Sequence, residues 1–427
     1  VTFSAGSEPA VQTGRSCSFV LAAPWKGPSP FRTIEERTRI GRIQLSEAGR
    51  VAAFRVDTDT DLLRGVEAAS NDLSVCERVG GKWSSVTVAA RVDIDQLPDL
   101  GRKLLRVYAK QTLPSDFRWI ENVQKVTAED LVERLDKELG AQLDARDLTS
   151  IRLAVPEMMG LATDCEARIF SAEGAPCESD IAAYLDGRKR TVSDTLEAAK
   201  HSHKVVLVTL NGEEKDSVSV YRCIVAEIEL KGTLYLLADG EWFKLDRDFV
   251  EDVNKAMRSI KPLRLPFPAW TKGQAEGQWN EAAAKSLSAF LLDKKTLMMS
   301  GRYTAIEPAD LLSDSRVFMH VKRRDKSSGG LSHLFAQGRV ATEMFAAEKS
   351  FRDKLSGKLG KRHALYQEIR GGPPDPTKWT IAYVLLGADP TSPTDSLPFF
   401  SKVNLRKHVQ SLEMMQYKVR IAGVATA

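Results

Sequence analysis

Alternation of apolar and polar side chains is clearest in RVFMHVKRR, residues 316–324. Val317, Met319 and Val321 fall on one face of a strand there, and Phe318, His320 and Lys322 on the other. From Gly273 onward the period switches repeatedly between helical and extended. GQWNEAAAKSLSAFLL predicts an alanine-rich helix, KKTLMMS and YTAIEPADLL two strands, and RVFMHVKRR a third. LSHLFAQGRVATEMFAAEKSFRDKL predicts a long helix and WTIAYVLLGA a largely apolar strand. NLRKHVQSLEMMQY and KVRIAGVA predict a final helix and strand. The order α-β-β-β-α-β-α-β describes an α/β domain over residues 271–427.

Upstream the pattern is α+β. Residues 1–110 are β-rich, with extended runs in GRIQLSEAGRVAAFRV and KWSSVTVAARVDI and a helix in DLGRKLLRVYAKQTL. In residues 111–262, Leu131, Leu135 and Leu139 recur at spacing four along an amphipathic helix. Thr127-x-x-Asp130 marks its start in the manner of a capping box, and the charges between the leucines read as a solvated face. KVVLVTL and CIVAEIELKGTLYLLADGEWFKLD predict an antiparallel meander, with turns at Gly232 and Asp239–Gly240. PLRLPFPAW, with three prolines, predicts a linker and a domain boundary near 262–270.

Composition narrows the class. The chain has 427 residues, enough for two or three domains at roughly 100–200 residues each. Hydrophobic residues make up 43% and charged ones 28%, an ordinary globular balance. No apolar run approaches the ~20 residues of a membrane span, and no signal-peptide pattern opens the sequence. Five scattered cysteines, none in a CxxC pair, argue against a disulfide framework or a zinc knuckle and for a reducing, cytoplasmic setting.

Reactive side chains concentrate between Tyr303 and Gly338: Glu307, Asp310, His320, Lys322, His333 and Gln337. The order of elements around them resembles the core of the PD-(D/E)xK (restriction-endonuclease-like) nuclease superfamily. In that superfamily a helix precedes a three-strand meander, followed by a helix and a further strand. The resemblance implies a mixed sheet flanked by helices and a metal-dependent nuclease using Mg²⁺ or Mn²⁺. Asp310 matches the superfamily's Asp, which closes the second strand, Lys322 its Lys and Gln337 its helical Gln. Glu276 or Glu281 matches the first-helix acid, and Glu307 is a spare carboxylate. The chemistry is coherent, since phosphodiester hydrolysis needs hard oxygen ligands for the cation and a positive charge beside the developing anion. The departure is His320, which stands where the superfamily has Glu or Asp.

His320-x-Lys322 also resembles half of a phospholipase-D-type site with a histidine nucleophile, for which a homodimer would supply the second copy. A core histidine is the competing reading. Arg316, Arg323, Arg324, Lys326 and Arg339, with Ser327, Ser328 and His333, form an expected polyanion-binding surface, DNA ahead of RNA. A nuclease-like fold that only binds nucleic acid, and a protein–protein scaffold, complete the alternatives. Finally, FRWIENVQKV, HVKRRDKSSGGLSHLFAQG and LPFFSKVNLRKHVQSLEMMQYKVRIAGV are similar to blocks of a sporadically distributed bacterial family of unassigned function. That distribution implies a phage-defence or mobile-element setting.

Overall fold

The computed structural model describes residues 213–271, 273–299, 305–323 and 328–427. Before residue 213 it describes 17–23, 37–45, 62–69, 75–82, 85–109, 121–153, 155–156, 165–170, 176–177, 181–186 and 193–209. The fold is mixed α/β with several sheets, and the chain divides into two compact units, Val1–Phe249 and Val250–Ala427. No helix among the described residues is long and apolar enough to cross a membrane.

In the first unit the expected meander is present. Ile224–Leu230, Thr233–Ala238 and Glu241–Leu245 pair antiparallel in sequence order. Asp239 and Gly240 both have positive φ (52° and 75°), the conformation that joins strands through a two-residue turn. Against this sheet lies the helix Glu129–Asp144, with Leu135, Leu139 and Leu143 buried in one core with Ile224, Ala226 and Ile228. Its first turn departs from expectation: Ala128 occupies the N-cap position and no side chain caps it. Asp136, expected on a wet face, is buried instead. Its Oδ1 accepts from the Tyr221 hydroxyl (2.6 Å) and Trp242 Nε1 (2.9 Å), and its Oδ2 pairs with Lys200 Nζ at 2.9 Å. Cys76 and Cys223 are free and buried.

The second unit carries the candidate chemistry. Its elements are α1 (Glu276–Ser286), β1 (Phe290–Leu291), β2 (Leu311–Ser313), β3 (Val317–Arg323), α2 (Ser328–Ala347), α3 (Lys349–Leu359), α4 (Tyr366–Gly371), β4 (Thr380–Leu386), α5 (Phe399–Met414) and β5 (Lys418–Val424). They form a five-stranded sheet in the order β1-β2-β3-β4-β5. The first three strands run antiparallel, and β3, β4 and β5 run parallel.

Alternation along the strands divides two cores, as the pattern predicts. Val317, Met319 and Val321 join Trp279 and Ala283 of α1. Phe318 stacks on Trp379 (ring centroids 5.1 Å apart) and packs beneath α2 with Phe345. Because both faces are covered, β4 has no room for polar residues and is apolar from Ile381 to Leu386.

Three expectations need correction. The first strand of the sheet is Phe290–Leu291, not KKTLMMS. Leu297–Met298 pairs with Ala305–Ile306 in a separate two-stranded ribbon. YTAIEPADLL is likewise not one strand, since Pro308 has no N–H for a ladder and the sheet strand starts only at Leu311. Asp310 therefore opens β2 rather than closing it. The proline-rich segment is not a free linker either. Leu263 N–H donates to Ile421 O (2.8 Å) and Trp270 N–H to Ala425 O (3.2 Å), so it runs beside β5 inside the second unit.

The return of the chain over β5 is tight. A Cβ at Gly423 would lie 2.3 Å from the Asp389 carbonyl oxygen, a backbone atom that no rotamer change can move. Gly423→Ala is expected to destabilise the second unit by about 1–3 kcal/mol or more, read by urea denaturation. Unchanged stability would contradict this packing.

Candidate metal centre

Asp310 is held from several directions. Its N–H donates to Met319 O (3.0 Å), and its carbonyl accepts from Leu292 N–H (2.7 Å) and Asp293 N–H (3.0 Å). Its carboxylate Oδ2 accepts from Val321 N–H at 2.7 Å. One residue thus ties together the end of β1, the start of β2 and the middle of β3. The same bonds bring Asp293 alongside, and the chain returning from the side ribbon delivers Glu307. Ligand oxygens of Asp293, Glu307 and Asp310 all lie within 4.8 Å of one another.

Both helices close on this group. Gln337 of α2 donates to Glu307 Oε2 at 2.9 Å, while the Lys294 N–H donates to Oε1. Tyr383 of β4 donates to Phe335 O at 3.1 Å, which fixes the α2 turn before Gln337. On the other side a Cβ at Gly277 would come within 3.1 Å of Asp293 Oδ2, a tight contact to which the Asp293 side chain would have to yield by a few tenths of an ångström. Asn280, the next turn of α1, is wholly buried with its Nδ2 3.4 Å from Asp310 Oδ1.

The electrostatics follow from burial. Asp310 is 5% exposed, and loss of water holds its carboxyl well above the usual carboxylate range. The Val321 N–H opposes this, and Glu307, Glu276 and Asp293 reinforce it. Glu307 is raised for the same first reason, opposed by its bonds from Lys294 and Gln337. Crowded carboxylates with little solvent favour a proton or a cation among them. All three donors are hard carboxylate oxygens, which fits Mg²⁺ or Mn²⁺ better than a softer metal.

Lys322 sits at the rim. Its Nζ is 3.7 Å from Glu276 Oε1, and both side chains are about one-third exposed. Glu276 Oε2 also accepts from Arg323 N–H at 3.1 Å. The guanidinium of Arg323 lies over the Trp270 ring, 5.7 Å from its centroid. The structure therefore brings Glu276, Glu307, Asp310, Lys322 and Gln337 to one end of the sheet, with Arg323 adjoining.

Other expected residues lie elsewhere. His320 is 0% exposed, neither ring nitrogen has a hydrogen-bond partner, and burial pushes it down to about 3. It is a neutral core histidine tilted against Tyr383 (centroids 6.0 Å apart), and it is not among the clustered ligands. A ring so enclosed reaches no substrate, so neither proton transfer nor the phospholipase-D-type reading fits it. Arg316 is at the far end of β3, roughly 20 Å from Lys322 at about 3.3 Å per residue. There it forms a bidentate pair with Glu368 (Nε–Oε1 2.8 Å, Nη2–Oε2 2.8 Å). Arg339 pairs with Glu343 of its own helix at 2.5 Å. Glu281 is exposed, about 140° around α1 from Glu276. Arg324, Lys326 and Ser327 lie outside the described residues, as do the side chains of Ser328 and His333.

Two residues of the centre escaped the sequence. Asp293 stands in a polar DKK turn with no periodicity to mark it. Asn280 follows Trp279 at helical spacing four from Glu276, a weak signal of a shared face.

A family of unknown function, DUF6119, matches residues 31–425, in keeping with the resemblance to a family of unassigned function. No curated protein and no solved structure matches the chain.

The raised Asp310 carboxyl has a testable consequence. The folded chain keeps a proton there that the unfolded chain has already released, so this contribution to stability is present at low pH and lost as pH rises. Without added metal, Asp310→Asn is expected to melt above wild type at pH 8, with the difference shrinking toward pH 4. Millimolar Mn²⁺ should reverse that order by stabilising wild type alone. Parallel melting curves from pH 4 to 8, indifferent to Mn²⁺, would contradict it.

Proposed function

Because the chain belongs to the DUF6119 family, to which no function is assigned, its activity is read from its own residues, and we propose that it is a metal-dependent phosphodiesterase acting on nucleic acid. The observation that carries the proposal is the convergence of Asp293, Glu307 and Asp310 within 4.8 Å, with Glu276, whose charge acts on Glu307 and Asp310, paired to the ammonium of Lys322. Support also comes from the order of the sheet, since a helix, three antiparallel strands, a helix and a parallel strand is the order of the PD-(D/E)xK core. On this reading the second unit is restriction-endonuclease-like, with Glu276, Lys322 and Gln337 in matching places and Asp310 at the start of the second strand instead of its end.

Asp293, Glu307 and Asp310 would hold the cation, and Gln337 and the Lys294 N–H would fix the orientation of Glu307. A bound Mg²⁺ or Mn²⁺ supplies Lewis-acid polarisation of a phosphate oxygen and a more acidic water. Lys322, one-third exposed, offers its charge to the phosphate as negative charge develops, and Glu276 holds that ammonium at the rim until substrate arrives. Arg323 extends the positive edge. The sealed His320 takes no part in proton transfer. Its strand position contributes only packing, and the carboxylate expected there is supplied from Asp293.

A binding-only module is the alternative, and salt and metal separate the two. The full chain is incubated with linear and circular DNA and with single-stranded RNA, with Mg²⁺, with Mn²⁺ and with chelator. Metal-dependent cleavage that falls at least about 100-fold in both Lys322→Ala and Asp310→Asn is the expected result. No cleavage of any substrate by wild type, together with binding that weakens steeply with salt and ignores metal, would replace the enzyme with the binding module.

A further inference from the structure

The cluster contains a polar atom that nothing in the protein satisfies. Asn280 is 0% exposed, and its Oδ1 is buried without a hydrogen-bond partner, although its Nδ2 lies 3.4 Å from Asp310 Oδ1. Burying an amide oxygen without a donor costs free energy, so native chains rarely leave one this way. The donors that converge on the acidic cluster are committed to its carboxylates: Val321 N–H to Asp310, and Gln337 and the Lys294 N–H to Glu307. Exchanging the two ends of the amide does not remove the problem. It turns Oδ1 to a carboxylate oxygen and leaves the N–H₂ group, instead of the oxygen, unpaired.

We propose that Asn280 is the neutral fourth ligand of a divalent cation held by Asp293, Glu307 and Asp310. The inference rests on the metal-centre reading above and adds a ligand that the nuclease resemblance does not supply. A cation satisfies the amide oxygen while Nδ2 remains directed at Asp310. Neutrality suits the position, because Glu276 already adds a fourth negative charge that acts on both Asp310 and Glu307. A carboxamide on the first helix, one turn beyond Glu276, thus adds a neutral oxygen to the three carboxylates. An all-oxygen set of three carboxylates and one amide selects a hard cation such as Mn²⁺ or Mg²⁺ over a thiophilic one.

The test is Mn²⁺ binding to the full chain by isothermal calorimetry, with bound Mn²⁺ counted by electron paramagnetic resonance. Wild type, Asn280→Leu, Asn280→Asp and Asp310→Asn are compared, with circular dichroism as the check on folding. A ligand role predicts at least a tenfold loss of affinity in Asn280→Leu. It also predicts affinity equal to or above wild type in Asn280→Asp, whose oxygen keeps its place and gains charge. A role confined to donating to Asp310 predicts that both variants weaken binding, and that outcome overturns the inference. So does Asn280→Leu binding like wild type. In either case loss of binding in Asp310→Asn leaves the metal centre standing. Should Asn280→Leu fail to fold, Asn280→Asp decides alone, by retaining or losing affinity. Failure of wild type to bind Mn²⁺ overturns both the inference and the reading beneath it.

Discussion

A carboxylate buried where three strands meet is the constraint from which the rest of the second unit follows. Asp310 uses its N–H, its carbonyl and its side chain to join Met319, Leu292, Asp293 and Val321. Removing an ionised carboxyl from water is expensive, and hydrogen bonds from one backbone N–H and a distant amide offset only part of it. A chain that keeps such a group dry while bringing two more acids alongside it accepts a local cost in stability. Costs of that kind concentrate where a fold holds a ligand. The neighbouring elements are shaped to the same end: α1 approaches through Gly277, and α2 is pinned through Phe335 so that Gln337 reaches Glu307.

Covering the sheet on both faces determines what chemistry remains possible. Phe318, Trp379, Phe345 and Tyr383 are buried on the α2 side of β3, and His320 is absorbed into that core as a neutral ring. Lys322, two residues on and next to the last residue of β3, escapes because its long side chain carries the ammonium to the rim beside Glu276. A two-residue step along one strand therefore separates packing from chemistry. The expected basic surface is divided in the same manner, since Arg316 pairs with Glu368 at the far end of β3 and Arg339 pairs with Glu343 of its own helix.

Much of this was legible in the sequence. Element order, the two faces of β3, the apolar β4 and the meander of the first unit all follow from periodicity and turn residues. Glu307, Asp310, Lys322 and Gln337 could be singled out because reactive types crowd one short stretch. What failed was pairing. Periodicity does not say which of two short apolar runs joins a sheet, so the side ribbon reads as sheet strands. Asp293 enters the centre only through backbone bonds to Asp310, a long-range contact that leaves no local trace. Asp136 in the first unit teaches the same lesson, since a charged residue between leucines reads as solvated until Tyr221, Trp242 and Lys200 close over it.

The central claim is a cation among the acids at the end of this sheet, and anomalous diffraction from a crystal of the full chain grown or soaked with Mn²⁺ addresses it directly. A single anomalous peak within about 2.0–2.6 Å of carboxylate oxygens of Asp293, Glu307 and Asp310 is the predicted result. Ordered Mn²⁺ elsewhere in the crystal, with the three carboxylates bonded only to one another and to water, would contradict it.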